Sequence, residues 1–299
     1  MLNLPFPRLL LLTFALQSGN IVSYYSKNKN PERNIQYMKK LIALLLASLM
    51  ILGLCSCKKE SADSIYSRIC ENTLALEYVK LNVSVYSTVE KGGESLTIPT
   101  DSEVKIINQN GEISYLSTSI VRFMVEGNMA RVTLQHYYKD GWLYQSAGDV
   151  KMKHELSAEK LFEGNIDAKT LILKLPSDLL AGAEVETEKK AHSFMLDIPD
   201  DRIDGELKGQ LDQIMNLYSE AKFDNGSYTL AGLKVTVTTT TDDFLSLGSI
   251  TFTASGKVSG EDATETITVA YEVVNPGNYF AMEAPYAPSR YEEGEFSIK

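Results

Sequence analysis

Leu81, Val83 and Val85 alternate with Asn82, Ser84 and Tyr86, the period of two that a strand with one covered face requires. Runs of the same period follow at Glu103–Ile107, Ser117–Glu126, Ala130–Tyr138, Trp142–Gln145 and Val150–Leu156. Between them stand Asn110-Gly111, Gly127-Asn128, Asp140-Gly141 and Gly148-Asp149. Asn-Gly and Asp-Gly pairs supply the positive φ that tight hairpins need, so the pattern predicts an antiparallel meander. The period then lengthens. Ser157 is placed to cap a short helix through Leu161 and Phe162, and Ala168–Leu180 is apolar enough to be mostly helical, with a break forced at Pro176. Glu184–Lys189 and His192–Ile198 read as a hairpin. The clearest helix is Asp201–Ala221, where Ile203, Leu207, Leu211, Ile214 and Tyr218 recur on one face.

Strands return at Leu233–Thr240, Phe244–Ser255 and Thr264–Val274, with Gly256–Asp262 as a long turn. Asn275-Pro276-Gly277 then turns the chain toward a closing segment, Tyr279–Met282. Ahead of the first strand, Ile65, Ile69 and Leu76 fall at helical spacing, which predicts an amphipathic helix over Ala62–Leu76. Long antiparallel strands with segregated helices define an α+β domain. A flat sheet would leave its apolar face wet, so the sheet is expected to curl and use the helices as a plug.

One segment fits neither period. In Met38–Lys59, Lys39 and Lys40 precede an unbroken apolar run, Leu41–Leu54. At ~1.5 Å per residue that run spans roughly 21 Å as a helix, short of the ~30 Å hydrocarbon core, so it reads as an export signal and not a membrane span. It ends in Leu54-Cys55-Ser56-Cys57, which resembles the lipobox of bacterial lipoproteins. That resemblance implies cleavage before Cys57 and a diacylglyceryl thioether on its sulfur; Cys55 fits less well, because Leu54 would stand where the pattern wants a small residue. Two acyl chains give stable anchoring where one does not. The expected organisation is an upstream extension at 1–37 arising from a wrongly assigned start, a signal peptide at 38–56, a tether at 57–63, a half-barrel domain at 64–288 and an acidic tail at 289–299. The expected location is the extracytoplasmic face of the cell membrane.

Charge narrows the partners. The chain carries a net charge of −10, and the residues before Cys57 contribute +5 of it, which leaves −15 on the remainder. Such a surface repels phosphate backbones and anionic bilayers alike, so nucleic acid is excluded and the acyl anchor must hold the protein at the membrane. Once Cys57 is lipidated Cys70 is the only thiol left, too few for an internal disulfide, and its apolar neighbours Ile65, Ile69 and Leu74 make it a small buried residue.

Tyr137-Tyr138-Lys139-Asp140-Gly141-Trp142-Leu143-Tyr144, followed by Gly148 and the alternating Val150-Lys151-Met152-Lys153, resembles the YY-x-DG-x-x-Y hairpin of a family of lipoproteins from monoderm bacteria related in fold to the LolA and LppX/LprG half-barrels. The Asn275-Pro276-Gly277 turn and Pro285 agree with it. The resemblance covers roughly residues 77–285. It implies an open antiparallel half-barrel with helices in its mouth, enclosing an apolar cavity for acyl chains, and it carries no activity with it.

Catalytic chemistry finds little support. Ser157-Ala158-Glu159-Lys160 matches S-x-x-K without its companion motifs, and helix capping accounts for Ser157. Asp197, Asp200, Asp201 and Asp204 lack the spacing of a calcium loop, and carboxylates near a helix N-terminus are stabilised there without a metal. His136, His154 and His192 show no ligand spacing, so neither an enzyme nor a cofactor is expected. Trp142 and its tyrosine neighbours read as cross-strand packing more readily than as a recognition surface.

The expected site is the concave face of the sheet. Val83, Val85, Val121, Phe123, Val125, Val132, Leu134, Val235, Val237, Phe252 and Val269 share the inward parity of their strands and are candidates for lining a lipid or acyl-chain cavity. Phe123 is taken as an example of a fully packed position. The alternative is a structural or protein-interaction lipoprotein whose half-barrel is filled by its own side chains; open volume separates the two, since ligand sites need roughly 300 Å³.

Overall fold

The computed structural model describes residues 60–125, 128–285 and 287–294. An N-terminal meander consists of β1 (Tyr78–Lys91), β2 (Glu94–Gln109), β3 (Glu112–Val125), β4 (Asn128–Lys139), β5 (Trp142–Ala147) and β6 (Val150–Glu155). A second consists of β7 (Glu186–Glu188), β8 (Ala191–Ile198), β9 (Tyr228–Thr239), β10 (Leu245–Val258) and β11 (Glu261–Val273), and β12 (Glu292–Glu293) closes the chain. They form one sheet in the order β12-β6-β5-β4-β3-β2-β1-β11-β10-β9-β8-β7. All pairs are antiparallel except β12 with β6. The halves meet where β1 pairs with β11, Val85 opposite Val269, and among the described residues β7 and β12 are the edge strands. The sheet is therefore an open half-barrel in an α+β fold.

Helices α1 (Ala62–Leu74), α2 (Ala158–Leu161), α3 (Ala168–Leu171), α4 (Ser177–Ala181) and α5 (Gly205–Tyr218) cover its concave face. Tyr66 of α1 meets Phe194 of β8 edge-on at 6.0 Å, and Phe162 meets Tyr115 of β3 at 5.9 Å. The Leu245 N–H donates to Thr73 Oγ1 at 3.0 Å, which fixes the C-terminal end of α1 on β10. Ile65, Ile69, Leu207, Leu211 and Ile214 are at most 3% exposed, so the helical spacing does mark the faces that meet the sheet. Gly248 makes room for one bulky side chain: the ring of Tyr271, its cross-strand neighbour, lies where a Cβ on residue 248 would come within 2.3 Å of it.

The structure departs from the periodicity in several places. The Ala168–Leu180 stretch holds only α3 and α4, because Pro176 denies the helix a donor and Ile172–Leu175 run non-helically between them. Gln210 of α5 satisfies the freed backbone, donating to the Lys169 and Ile172 carbonyls and accepting from the Lys174 N–H. The helix expected over Asp201–Ala221 is shorter. A 3₁₀ turn at Asp200–Arg202 precedes it, and Gly205 at φ +50° marks its start. The expected long turn at Gly256–Asp262 is instead a two-residue turn, Ser259-Gly260, at φ +55° and +81°, with strands running up to it on both sides. Tyr279–Met282 is not a strand; Tyr279 and Phe280 set their rings on Tyr78 at 5.3 and 5.7 Å. The last strand is β12, brought to the β6 edge by Tyr291, which is 8% exposed and packs edge-on against Tyr144. Tyr144 also packs on Tyr137, and Lys153 lies over Trp142, so Tyr137, Trp142 and Tyr144 are engaged in packing on the convex side, while Tyr138 faces the core. Cys70 is half-buried, and burial pushes its thiol up to about 11.

Asp224 clamps the β10–β11 turn. Its carboxylate accepts the Gly260 and Ser259 N–H groups at 2.8 and 2.9 Å, and these bonds hold its pKa below the usual range. Stability from a depressed carboxylate is present above the unfolded value of about 4 and is lost as pH falls through the lower folded value. Asp224→Asn is expected to melt below the wild type at pH 7 and to converge with it once the pH has fallen through the lowered folded pKa of Asp224, as read by circular dichroism. An unchanged gap at low pH would show that the clamp does not depend on charge.

Candidate ligand site on the concave face

Facing positions across a sheet lie on the same side, and the register gathers all the candidates on one face. Val83 faces Ser102 and Tyr271, Val121 faces Thr100 and Val132, and Leu134 faces Ser119. Phe123 pairs with Ala130, Val125 with Asn128, Val235 with Ile250, Val237 with Phe194, and Phe252 with Ile267. The eleven separate by depth. Val83, Val85, Val235, Val237, Phe252 and Val269 are at most 2% exposed, beneath the helical layer. Val121, Val132 and Leu134 are half-buried, and Phe123 and Val125 are 38% and 47% exposed. Phe123 is thus an open position and not a packed one, because β3 and β4 extend beyond the helices that would cover it.

Where the two zones meet, a cavity of about 250 Å³ lies between β1–β4 and a roof made by residues 164–166 and the end of α5. Val85, Val121 and Leu134 line it, together with Ile98, Ile166 and Leu217. Its floor is more polar than the valine pattern implies. Ser87, Ser102, Ser117 and Ser119 occupy inward positions, and these short side chains leave the volume that a valine or leucine would fill. Ser102 and Ser119 bond each other at 2.8 Å.

Two polar groups brace the roof. His136 Nδ1–H donates to Asn165 Oδ1 at 2.6 Å and Nε2 accepts from Gln145 at 3.3 Å, an assignment fixed by this network. Burial lowers its pKa, so the ring is a neutral structural element. Asn165 in turn donates to the Leu161 carbonyl at 2.7 Å. Glu265 of β11 is fully buried and accepts from Ser87 at 2.6 Å, Ser219 at 2.5 Å and the Glu220 N–H at 2.7 Å, tying the end of α5 to the sheet. Tyr218 also lines the cavity, while its hydroxyl is buried and has no hydrogen-bond partner among the described residues.

Periodicity placed Tyr218 on the inward face of its helix, but Asn165, Glu265 and the four serines were missed by it. The signal was present for some of them: Ser87 shares the parity of Val83 and Val85, and Glu265 that of Ile267 and Val269. A second, larger cleft of about 1000 Å³ runs along the helical layer beside α1, lined by Tyr66, Cys70, Phe162, Leu173 and Gln210 among others. The other sequence motifs do not converge on either. Ser157 and Lys160 are exposed on α2; Asp197 pairs with Lys234, and Asp200 accepts the Gly232 N–H. Among the described residues no group of three or more His, Cys, Asp and Glu could hold a metal ion, and no helix is long and apolar enough to cross a membrane. Met38, the signal segment and Cys57 lie outside the described residues.

No protein-family model matches the chain, and no curated protein matches it. Among solved structures it is similar to LprF from Mycobacterium bovis, with a TM-score of 0.40 and 14% identity over 75% of this chain and 96% of that one. It is also similar to the Mycobacterium tuberculosis lipoprotein LppX, with a TM-score of 0.36 and 11% identity over 74% of this chain and 98% of that one. A LolA superfamily protein from Nitrosomonas europaea gives 0.25 and 10%, over 71% and 92%. An open sheet with helices on its concave face is the architecture that the hairpin motif implies. At this identity the likeness is one of form, and function rests on the site.

Proposed function

We propose that the protein is a non-catalytic lipoprotein, tethered through Cys57 to the extracytoplasmic face of the membrane, that binds an acyl chain on the concave face of its half-barrel. The observation that carries this is the open apolar shelf beside the cavity. Leu96, Phe123, Val125 and Val150 sit at inward positions and are 50%, 38%, 47% and 56% exposed, and Ile98, Val132 and Leu134 continue the strip. Exposed apolar positions that share one face of a sheet mark a binding surface more strongly than scattered ones do. The tether rests on the sequence alone, on the signal segment and Leu54-Cys55-Ser56-Cys57.

A closed-core interaction protein is favoured by a different observation. Six of the eleven candidate positions are fully packed, and the 250 Å³ cavity alone is smaller than the roughly 300 Å³ of a typical ligand site. Mass spectrometry of lipids extracted from purified protein, with titration of a fluorescent fatty acid, separates the two. Recovery of lipid and saturable probe binding are expected; absence of both favours the closed core. For the tether, Cys57→Ala is expected to move the protein from the membrane fraction to a soluble or uncleaved form. Unchanged fractionation, with anchoring lost in Cys55→Ala, would reassign the lipidated residue.

A further inference from the structure

The end of the β3–β4 hairpin is built unlike the rest of the sheet. β2 pairs with β3 only as far as Val121, opposite Thr100, and β5 reaches along β4 only to Leu134. Arg122–Val125 and Asn128–Thr133 therefore pair with each other alone among the described residues, as a two-stranded ribbon that no third strand flanks. Both of its faces are apolar. Phe123 and Val125 point to the concave side, and on the convex side Met124 stands directly opposite Met129, the two being 54% and 67% exposed. The methionine pair cannot serve the acyl shelf, which lies on the other face. Behind it Arg122 stands directly opposite Arg131, two like charges that repel. Asp101 holds Arg122, whereas Arg131 is exposed and makes no ion pair among the described residues.

A ribbon of this size gains little stability from its own contacts in water, and this one exposes apolar side chains on both sides. A groove in another protein would meet one face, whereas a lipid interface surrounds both. Its phosphate groups also supply the anions that two adjacent arginines need. We propose that the β3–β4 ribbon is a lipid-surface contact, with Phe123, Met124, Val125 and Met129 entering the bilayer interface and Arg131 reaching its phosphates. Phe123–Val125 span about 10 Å at ~3.3 Å per residue, which matches the ~5–10 Å depth of interfacial elements. The sequence joins the two strands through Glu126, a carboxylate that must stay hydrated, so the contact is with the headgroup level and not the hydrocarbon centre. The ribbon lies at the end of the sheet that carries the β1–β2 and β10–β11 turns. Glu60, the first described residue, is at the other end, where Arg68 joins it to Asp243 of the β9–β10 turn. The contact rests on neither the tether nor the acyl-binding reading, although it would set the open end of the shelf against a source of chains.

The test is flotation with phosphatidylcholine vesicles, using the chain from Lys58 onward, which lacks Cys57 and holds the whole sheet and helical layer as one compact unit. Phosphatidylcholine presents phosphates without the net negative charge that would repel this acidic chain. The wild type is expected to float with the vesicles. Met124→Ser combined with Met129→Ser should weaken partitioning about tenfold or more, and Arg131→Ala about fivefold. Melting temperatures should not move, because all three side chains are exposed. Titration with a soluble fluorescent fatty acid should be the same for every variant, which separates this contact from the shelf. A wild type that stays out of the vesicle fraction, or flotation that these variants leave unchanged, would overturn the proposal. Self-association in sedimentation velocity, abolished by the methionine variant and seen without flotation, would give the ribbon to a second copy of the chain instead. If flotation responds to the variants while no fatty acid binds, the lipid contact is upheld and the acyl-binding reading falls.

Discussion

Phe252→Asp is expected to yield no folded protein, whereas Phe123→Asp should fold nearly as well as the wild type and lose most of its affinity for an acyl probe. The two phenylalanines share the inward parity of the same sheet and differ in what stands over them. Phe252 is 0% exposed, opposite Ile267 in a run with Ile250 and Ala254 that is equally buried. A carboxylate placed there has neither water nor a cation. It costs several kcal/mol, a large share of the ~5–15 kcal/mol that holds a domain together. Phe123 is 38% exposed near the end of β3, so the same carboxylate remains hydrated and the loss is about 1 kcal/mol or less. Thermal melting by circular dichroism and titration of a fluorescent fatty acid read the two effects separately. Unfolding of both variants would mean that the β3–β4 end is packed in solution, and the shelf would then not be a binding surface.

Glu265→Ala is expected to lower stability by about 3 kcal/mol or more, close to 10 °C in melting temperature for a domain of this size. The carboxyl is the common acceptor of Ser87, Ser219 and the Glu220 N–H. The serine hydroxyls can rotate toward other acceptors. The Glu220 N–H cannot, and it would lose its acceptor in a part-buried setting at the point where α5 joins the sheet. Glu265→Gln keeps an acceptor oxygen and should lose less than the alanine variant. Near-equal melting of the alanine variant and the wild type would show that the end of α5 is held by its apolar contacts alone. Because Ser219, Glu220 and Tyr218 are consecutive, the same variant should also weaken binding at the cavity, and a folded Glu265→Ala with full affinity would separate the roof from the site.

How far the sequence carries depends on what each feature is made of. Alternation and turn chemistry are local, and they determined the strands and their inward faces. Asn110-Gly111 and Asp140-Gly141 adopt the positive φ values that their residue types favour, and every inward candidate from Val83 to Val269 lies on one face. The export segment and the lipobox are likewise linear signals, legible without a fold. Depth was not legible. Val121 and Val269 have the same parity and the same side chain, yet only Val269 is fully buried, because burial depends on where α1 and α5 cross the sheet. The break at Ile172–Leu175 is held by Gln210, 36 to 38 positions further on for the groups nearest Pro176, and no window of local sequence contains that bond. The polar cavity was hidden for the same reason. Serines at inward positions read as weak strand residues until four of them are set side by side under Tyr218. Parity is a property of neighbours in the chain, while burial, hydrogen-bond completion and open volume are properties of neighbours in space, and only the tertiary structure brings those together.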